Sequence, residues 1–128
     1  MSDPAQALSR VLGHGSAHEG AHHWRVQRLT ALALLMLVPW LLVSLALLPD
    51  LSWPAVHAWV SGLWHAALLV VLVLCACWHS QLGVQVVIED YVQSAPRRFA
   101  LVVSAFLHVL LAAVGVLAVM RVAFAAQP

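Results

Sequence analysis

A histidine, an aspartate and a tyrosine stand at fixed intervals near the end of a long apolar run, Trp78-His79-Ser80-Gln81-Leu82-Gly83-Val84-Gln85-Val86-Val87-Ile88-Glu89-Asp90-Tyr91. On a helix turning about 100° per residue, Gly83 lies about 40° and Asp90 about 20° from the azimuth of His79. The three share one face. Tyr91 takes the next azimuth round, about 18 Å along the axis from His79. Neutral imidazole coordinates iron readily, and a b-type haem is held by such ligands without covalent attachment. Gly83 removes a side chain one turn away, where a flat macrocycle or another helix would approach. A carboxylate beside a phenol at the helix end can orient a partner, relay protons or donate to a quinone carbonyl. The stretch reads as an electron-transfer helix with a buried cofactor close to a surface site.

Two further histidines fall inside apolar runs. An imidazole at membrane depth is costly unless paired, so each is a functional candidate. The competing account is a hydrogen bond to a neighbouring helix. His65 precedes His79 by 14 positions on nearly the same azimuth, a spacing that would stack two haems across a bilayer. It also lies beside Trp64 at the edge of its run, where a partly hydrated ring costs little. His108 lies about 15 Å inward from Arg98, a depth similar to that of His79 counted from Tyr91. If their helices are antiparallel, His79 and His108 could grip one iron within the chain. Depth alone leaves that open.

Charge near the start of the first apolar run comes from Arg28, with His22 six residues before it. A guanidinium there suits carboxylates such as haem propionates, and it also suits an ordinary membrane anchor. His14, His18, His22 and His23 cluster near the N-terminus, yet no cysteine joins them and their spacing fits no zinc motif. Cys75 and Cys77 lie within an apolar run and read as small packed residues. They do not form the Cys-x-x-Cys-His pattern of covalent haem attachment.

The elements that must position these residues follow from composition. Of 128 residues, 63% are hydrophobic and 9% charged, with a mean hydropathy of +0.93. A soluble domain carries about a quarter charged residues, so the solvent of this chain is largely lipid. Lysine is absent, no basic patch suits nucleic acid, and no short apolar signal core opens the chain. The fold class expected is an all-α membrane protein of three transmembrane helices, over about 29–48, 63–88 and 99–124, each near or above the ~20 residues a crossing requires. Pro39 lies inside the first span, where membrane helices tolerate it, and predicts a kink near Met36. Residues 1–28 form a polar N-terminal segment in which Pro4 to Leu12 could make a short surface helix. Trp53, Trp59 and Trp64 belong to an interfacial aromatic belt. Arg10, Arg25, Arg28, Arg97 and Arg98 place the N-terminus and the 89–98 connection in the cytoplasm by the positive-inside rule.

Taken as a set, His79-x-x-x-Gly83, Asp90-Tyr91 and Gln27-Arg28-Leu29-Thr30-Ala31 with His22 resemble the small hydrophobic membrane anchor of bacterial succinate dehydrogenase. The resemblance covers roughly residues 22–125. It implies that His79 is one axial ligand of a haem b whose second ligand comes from a companion anchor protein in the same complex, which speaks against His108 and against a second haem at His65. It implies that Tyr91, assisted by Asp90, hydrogen-bonds ubiquinone, and that Arg28 and His22 lie near the haem propionates. A flavoprotein subunit would oxidise succinate, an iron–sulfur subunit would carry the electrons, and this chain would help deliver them to quinone in the bacterial inner membrane. No activity is expected of the chain alone. Three alternatives stand beside this: a stand-alone b-type cytochrome built on His79 and His108, a fumarate reductase anchor, and a non-redox membrane scaffold.

Overall fold

The computed structural model describes residues 17–125, which form four helices and no strand. Helix α1 spans Ala17–Ala46, α2 Trp53–Ser61, α3 Leu63–Tyr91 and α4 Ala95–Ala125. Three of these, over Gly20–Ala46, Leu63–Tyr91 and Pro96–Ala125, are long and apolar enough to cross a membrane. The expected all-α, three-span architecture holds. The expected surface helix over 4–12 and His14 lie outside the described residues.

All three long helices exceed the expected spans, although α1 ends at Ala46 and not at residue 48. Helix α1 begins about three turns before residue 29, because a hydrogen-bonded turn needs good backbone geometry and not apolar side chains. It runs unbroken through Pro39. Helices α3 and α4 extend to Tyr91 and back to Ala95, which leaves only Val92, Gln93 and Ser94 between them. So short a connection makes the pair antiparallel and forces Ser94 into the left-handed region at φ 68°, rare for a residue with a Cβ.

Helix α2 was not expected. Ser52 precedes it as N-cap and Pro54 lies in its first turn, where a missing N–H costs nothing. The Asp50 carboxylate accepts the Ser52 backbone N–H at 2.9 Å. Hydrogen bonding by Ser52, through its hydroxyl and then its backbone N–H, holds the Asp50 carboxyl below the usual aspartate value.

Helix α3 is the axis of the molecule. It packs against α1 on one side and α4 on another, and α2 sits across α3 and α4; α1 and α4 do not meet. Very little is buried: Ala66, Leu82 and Ser104 are the buried residues among those described, while Leu35, Met36, Leu42, Phe106 and Leu111 are exposed. Apolar exposure on this scale marks lipid and protein interfaces. At Gly115 of α4 an added Cβ would lie 2.8 Å from Val73 Cγ1 of α3, so the two backbones approach closely there, as small residues allow between membrane helices.

Candidate functional site in the seam between the first and third helices

His79 projects from α3 toward α1. Its Nδ1 lies 3.1 Å from Thr30 Oγ1, and the same hydroxyl lies 2.9 Å from the Val26 carbonyl and 3.1 Å from that of Gln27. Carbonyl oxygens only accept, so the single hydroxyl proton belongs to the helix backbone, as in threonines that bond back one turn. The Thr30 lone pair then accepts from His79 Nδ1–H. In a neutral ring this leaves Nε2 unprotonated. Interhelical hydrogen bonds in membranes average about 0.6 kcal/mol, too little to hold the fold but enough to choose a tautomer and a ring orientation.

The neighbouring contact runs the same way. A Cβ on Gly83 would meet the Gln27 side-chain amide at 3.9 Å, an ordinary packing distance. Gly83 therefore faces α1, on the same side of α3 as His79. Thr30 opposite His79 and Gln27 opposite Gly83 make an antiparallel register, which carries the start of α1 toward the end of α3. His23, Gln27 and Thr30 form one stripe at i, i+4 and i+7. Two atoms on that stripe, His23 Nε2 and Gln27 Oε1, are buried without a hydrogen-bond partner.

Arg28 and His22 are exposed on α1. The Arg28 guanidinium lies over the Trp24 ring, 5.0 Å from its centroid. The register brings this end of α1 to the same end of the bundle as Asp90 and Tyr91, without a hydrogen bond joining either residue to His79. Asp90 is exposed, and Tyr91 is 83% exposed. Glu89 instead accepts from the Gln85 amide one turn earlier at 2.9 Å. The phenol at the helix end is thus presented outward.

The other membrane histidines are differently engaged. His65 packs against Trp59 at 4.7 Å and Trp40 at 6.2 Å between ring centroids, with the two indoles themselves stacked at 5.9 Å. Trp64, the neighbour expected to accompany it, points outward. His108 donates from Nδ1 to the Ser104 carbonyl at 2.8 Å, and its Nε2 lies 3.2 Å from Ser80 Oγ on α3. It lines a groove of about 430 Å³ between α3 and α4 with Leu74, Trp78, Gln81 and Ala105. That groove opens about 150° round α3 from His79. The structure therefore sends the two imidazoles to different sides of α3.

Sequence reasoning singled out His79 and Gly83 but missed Thr30 and Gln27 as their neighbours, and Ser80 as the partner of His108. A hydroxyl residue in an otherwise apolar run was the available signal for Thr30. Which polar groups meet is set by interhelical register, which no single helix encodes. Among the described residues, no cluster of three or more His, Cys, Asp or Glu side chains could hold a metal ion by itself.

The model of the succinate dehydrogenase/fumarate reductase transmembrane subunit family matches residues 2–121. The chain belongs to that family. Among its relatives, the succinate dehydrogenase hydrophobic membrane anchor subunit of Rickettsia bellii (strain RML369-C) is 35% identical over 91 residues, covering 70% of this chain and 72% of that one. Its counterpart in Paracoccus denitrificans is 32% identical over 93 residues, covering 72% and 71%. The Coxiella burnetii (strain RSA 493 / Nine Mile phase I) protein of the same name is 30% identical over 86 residues, covering 67% and 75%. No solved structure gives a significant match. Family membership and three membrane-spanning helices make this a multi-pass membrane anchor of the succinate dehydrogenase type, which works within a complex of several subunits. The resemblance read from His79-x-x-x-Gly83 and Asp90-Tyr91 is upheld at the level of the family.

Proposed function

We propose that this chain, with a companion anchor protein, holds a haem b and ubiquinone and passes electrons from succinate oxidation to the quinone. The observation that carries the reading is the 3.1 Å contact between His79 Nδ1 and a Thr30 hydroxyl that is itself within reach of the α1 backbone carbonyls, which in a neutral ring leaves the Nε2 lone pair free. This donor fits a haem iron, which takes imidazole as an axial ligand. A single histidine with exposed apolar helix faces around it fits a ligand shared with another subunit. When bound, the haem supplies a one-electron carrier of low reorganisation inside the bilayer.

The remaining roles fall to side chains at one end of the bundle. Tyr91, outward and unencumbered, donates its hydroxyl to a quinone carbonyl, and Asp90 beside it orients the site or passes protons. Arg28 and His22 supply charge toward the haem propionates. Gly83, the small residue one turn from His79, leaves space beside the imidazole for the macrocycle to pack. The chain's contribution to turnover is positioning and hydrogen bonding at a site shared among subunits. Iron–sulfur and flavoprotein subunits supply the electrons from the cytoplasmic face of the inner membrane, where the arginine distribution places residues 89–98. Physiological fumarate reduction would use the same machinery in reverse.

The test is His79→Leu in the whole membrane complex. The reading expects loss of the bis-histidine low-spin haem spectrum, with succinate oxidation by a soluble acceptor retained. An assembled variant with unchanged haem absorbance would make the chain a scaffold.

A further inference from the structure

We infer that Thr30 is the positioning residue for His79, fixing its tautomer and ring orientation so that Nε2 is offered to iron. The inference rests on the haem-ligand reading of His79 and deepens it.

Proton counting carries the argument. Thr30 Oγ1 has one proton and three neighbours within hydrogen-bonding range: the Val26 carbonyl at 2.9 Å, the Gln27 carbonyl at 3.1 Å and His79 Nδ1 at 3.1 Å. Two of the three can only accept. The arrangement that satisfies the most groups runs from His79 Nδ1–H to the Thr30 oxygen, and from the Thr30 hydroxyl to the backbone. The opposite assignment would put the proton on His79 Nε2 and remove the lone pair a metal needs.

His108 provides the internal contrast. Its Nδ1–H also goes to an oxygen, but its Nε2 is engaged by Ser80. His65 is packed among indoles. Of the three histidines at membrane depth, His79 alone joins an anchored Nδ1 to an Nε2 with no hydrogen bond among the described residues. Metal-ligating histidines generally give their other N–H to an oxygen acceptor, which fixes the ring and raises its basicity. Threonine serves here because its hydroxyl is itself tied to the backbone of α1, so the acceptor does not swing away.

A hydroxyl present only for packing predicts no change in the iron's electronic state on its removal. A positioning hydroxyl predicts one. Thr30→Val keeps the shape and deletes the acceptor; Thr30→Ser and Thr30→Ala form a second pair differing by the hydroxyl. The whole complex carrying each variant is measured for haem-to-flavin ratio, haem midpoint potential and the ferric electron paramagnetic resonance g-values. A less basic ring stabilises ferric iron less, so Thr30→Val and Thr30→Ala should titrate at higher potential than wild type. Their g-values should shift as the ring turns, and Thr30→Ser should restore both. Haem loss from the hydroxyl-free variants with retention in Thr30→Ser supports the same conclusion, since removal of such outer partners typically costs about 10- to 100-fold in metal affinity.

Matching potentials and g-values within each pair overturn the inference. Should Thr30→Val fail to assemble, the Ser and Ala pair decides it; equal behaviour of those two, including equal failure, overturns it. A wild-type complex without haem b overturns the reading of His79 beneath it, whereas wild-type haem indifferent to the Thr30 hydroxyl overturns only this inference.

Discussion

His108 of α4 and Ser80 of α3 are joined by a 3.2 Å hydrogen bond across the helix pair, on the side of α3 turned away from the His79–Thr30 contact. The His108 ring is satisfied at both nitrogens, by Ser80 and by the Ser104 carbonyl. For His108 to ligate iron through Nε2, the Ser80 bond must break and the ring must reach round α3. His108→Ala should therefore leave the low-spin haem spectrum unchanged, as checked by optical and paramagnetic resonance spectra of the complex. Conversion to high spin would move the second axial ligand into this chain and favour the stand-alone cytochrome.

How far the sequence could be read differs from residue to residue. The spans and the depth of His79 follow from hydropathy and helical spacing, because membrane helices have to be apolar over a length the bilayer sets. Helix α2 was legible in Ser52-Trp53-Pro54, a start signal overshadowed by the tryptophans read as an interfacial belt. The placement of Thr30 against His79 was not legible. It depends on the axial register of α1 on α3, which the packing of two distant stretches of chain sets and neither helix encodes alone. His65 among Trp40 and Trp59 is illegible for the same reason, since those indoles come from α1 and α2.

Tyr91 closes α3 with its hydroxyl presented outward. A neutral hydrogen bond is worth about 1 kcal/mol net, so Tyr91→Phe should slow quinone reduction roughly five- to tenfold at about 1.4 kcal/mol per decade. Succinate oxidation measured with a soluble acceptor should be spared, because in the proposed complex the flavin chemistry would belong to another subunit. Parallel assays with quinone and with the soluble acceptor make the comparison. Equal loss in both would refer the defect to assembly and remove Tyr91 from the quinone site.

Arg28 sits over Trp24 on the exposed side of α1, at the end of the bundle shared with Tyr91. A positive charge near the haem favours reduced iron over ferric iron. Arg28→Leu should lower the midpoint potential, by an amount on the order of tens of millivolts for unit charges within about a nanometre in partly buried surroundings. Redox titration of the variant complex reads this directly. A potential equal to wild type would confine Arg28 to anchoring α1 at the membrane surface. Its stacking on Trp24 would then be its whole role.

At Gly115, α4 packs tightly against Val73 of α3, away from the His79 side of that helix. A methyl group there would sit 2.8 Å from Val73 Cγ1, a distance that real carbon pairs do not hold. Either Val73 changes rotamer or the helices part. Overpacking of this kind costs about 1–3 kcal/mol, so Gly115→Ala should lower the thermal stability of the assembled complex and Gly115→Leu should lower it further. The two effects share one cause, so Val73→Ala, which removes the opposing methyls, should recover most of the loss from Gly115→Ala. Thermal denaturation of the complex, followed by subunit retention, measures all four forms. The haem midpoint potential should not move, because His79 and Thr30 meet on the other side of α3. A Val73→Ala background that recovers nothing would show that Gly115 is small for a partner outside this chain.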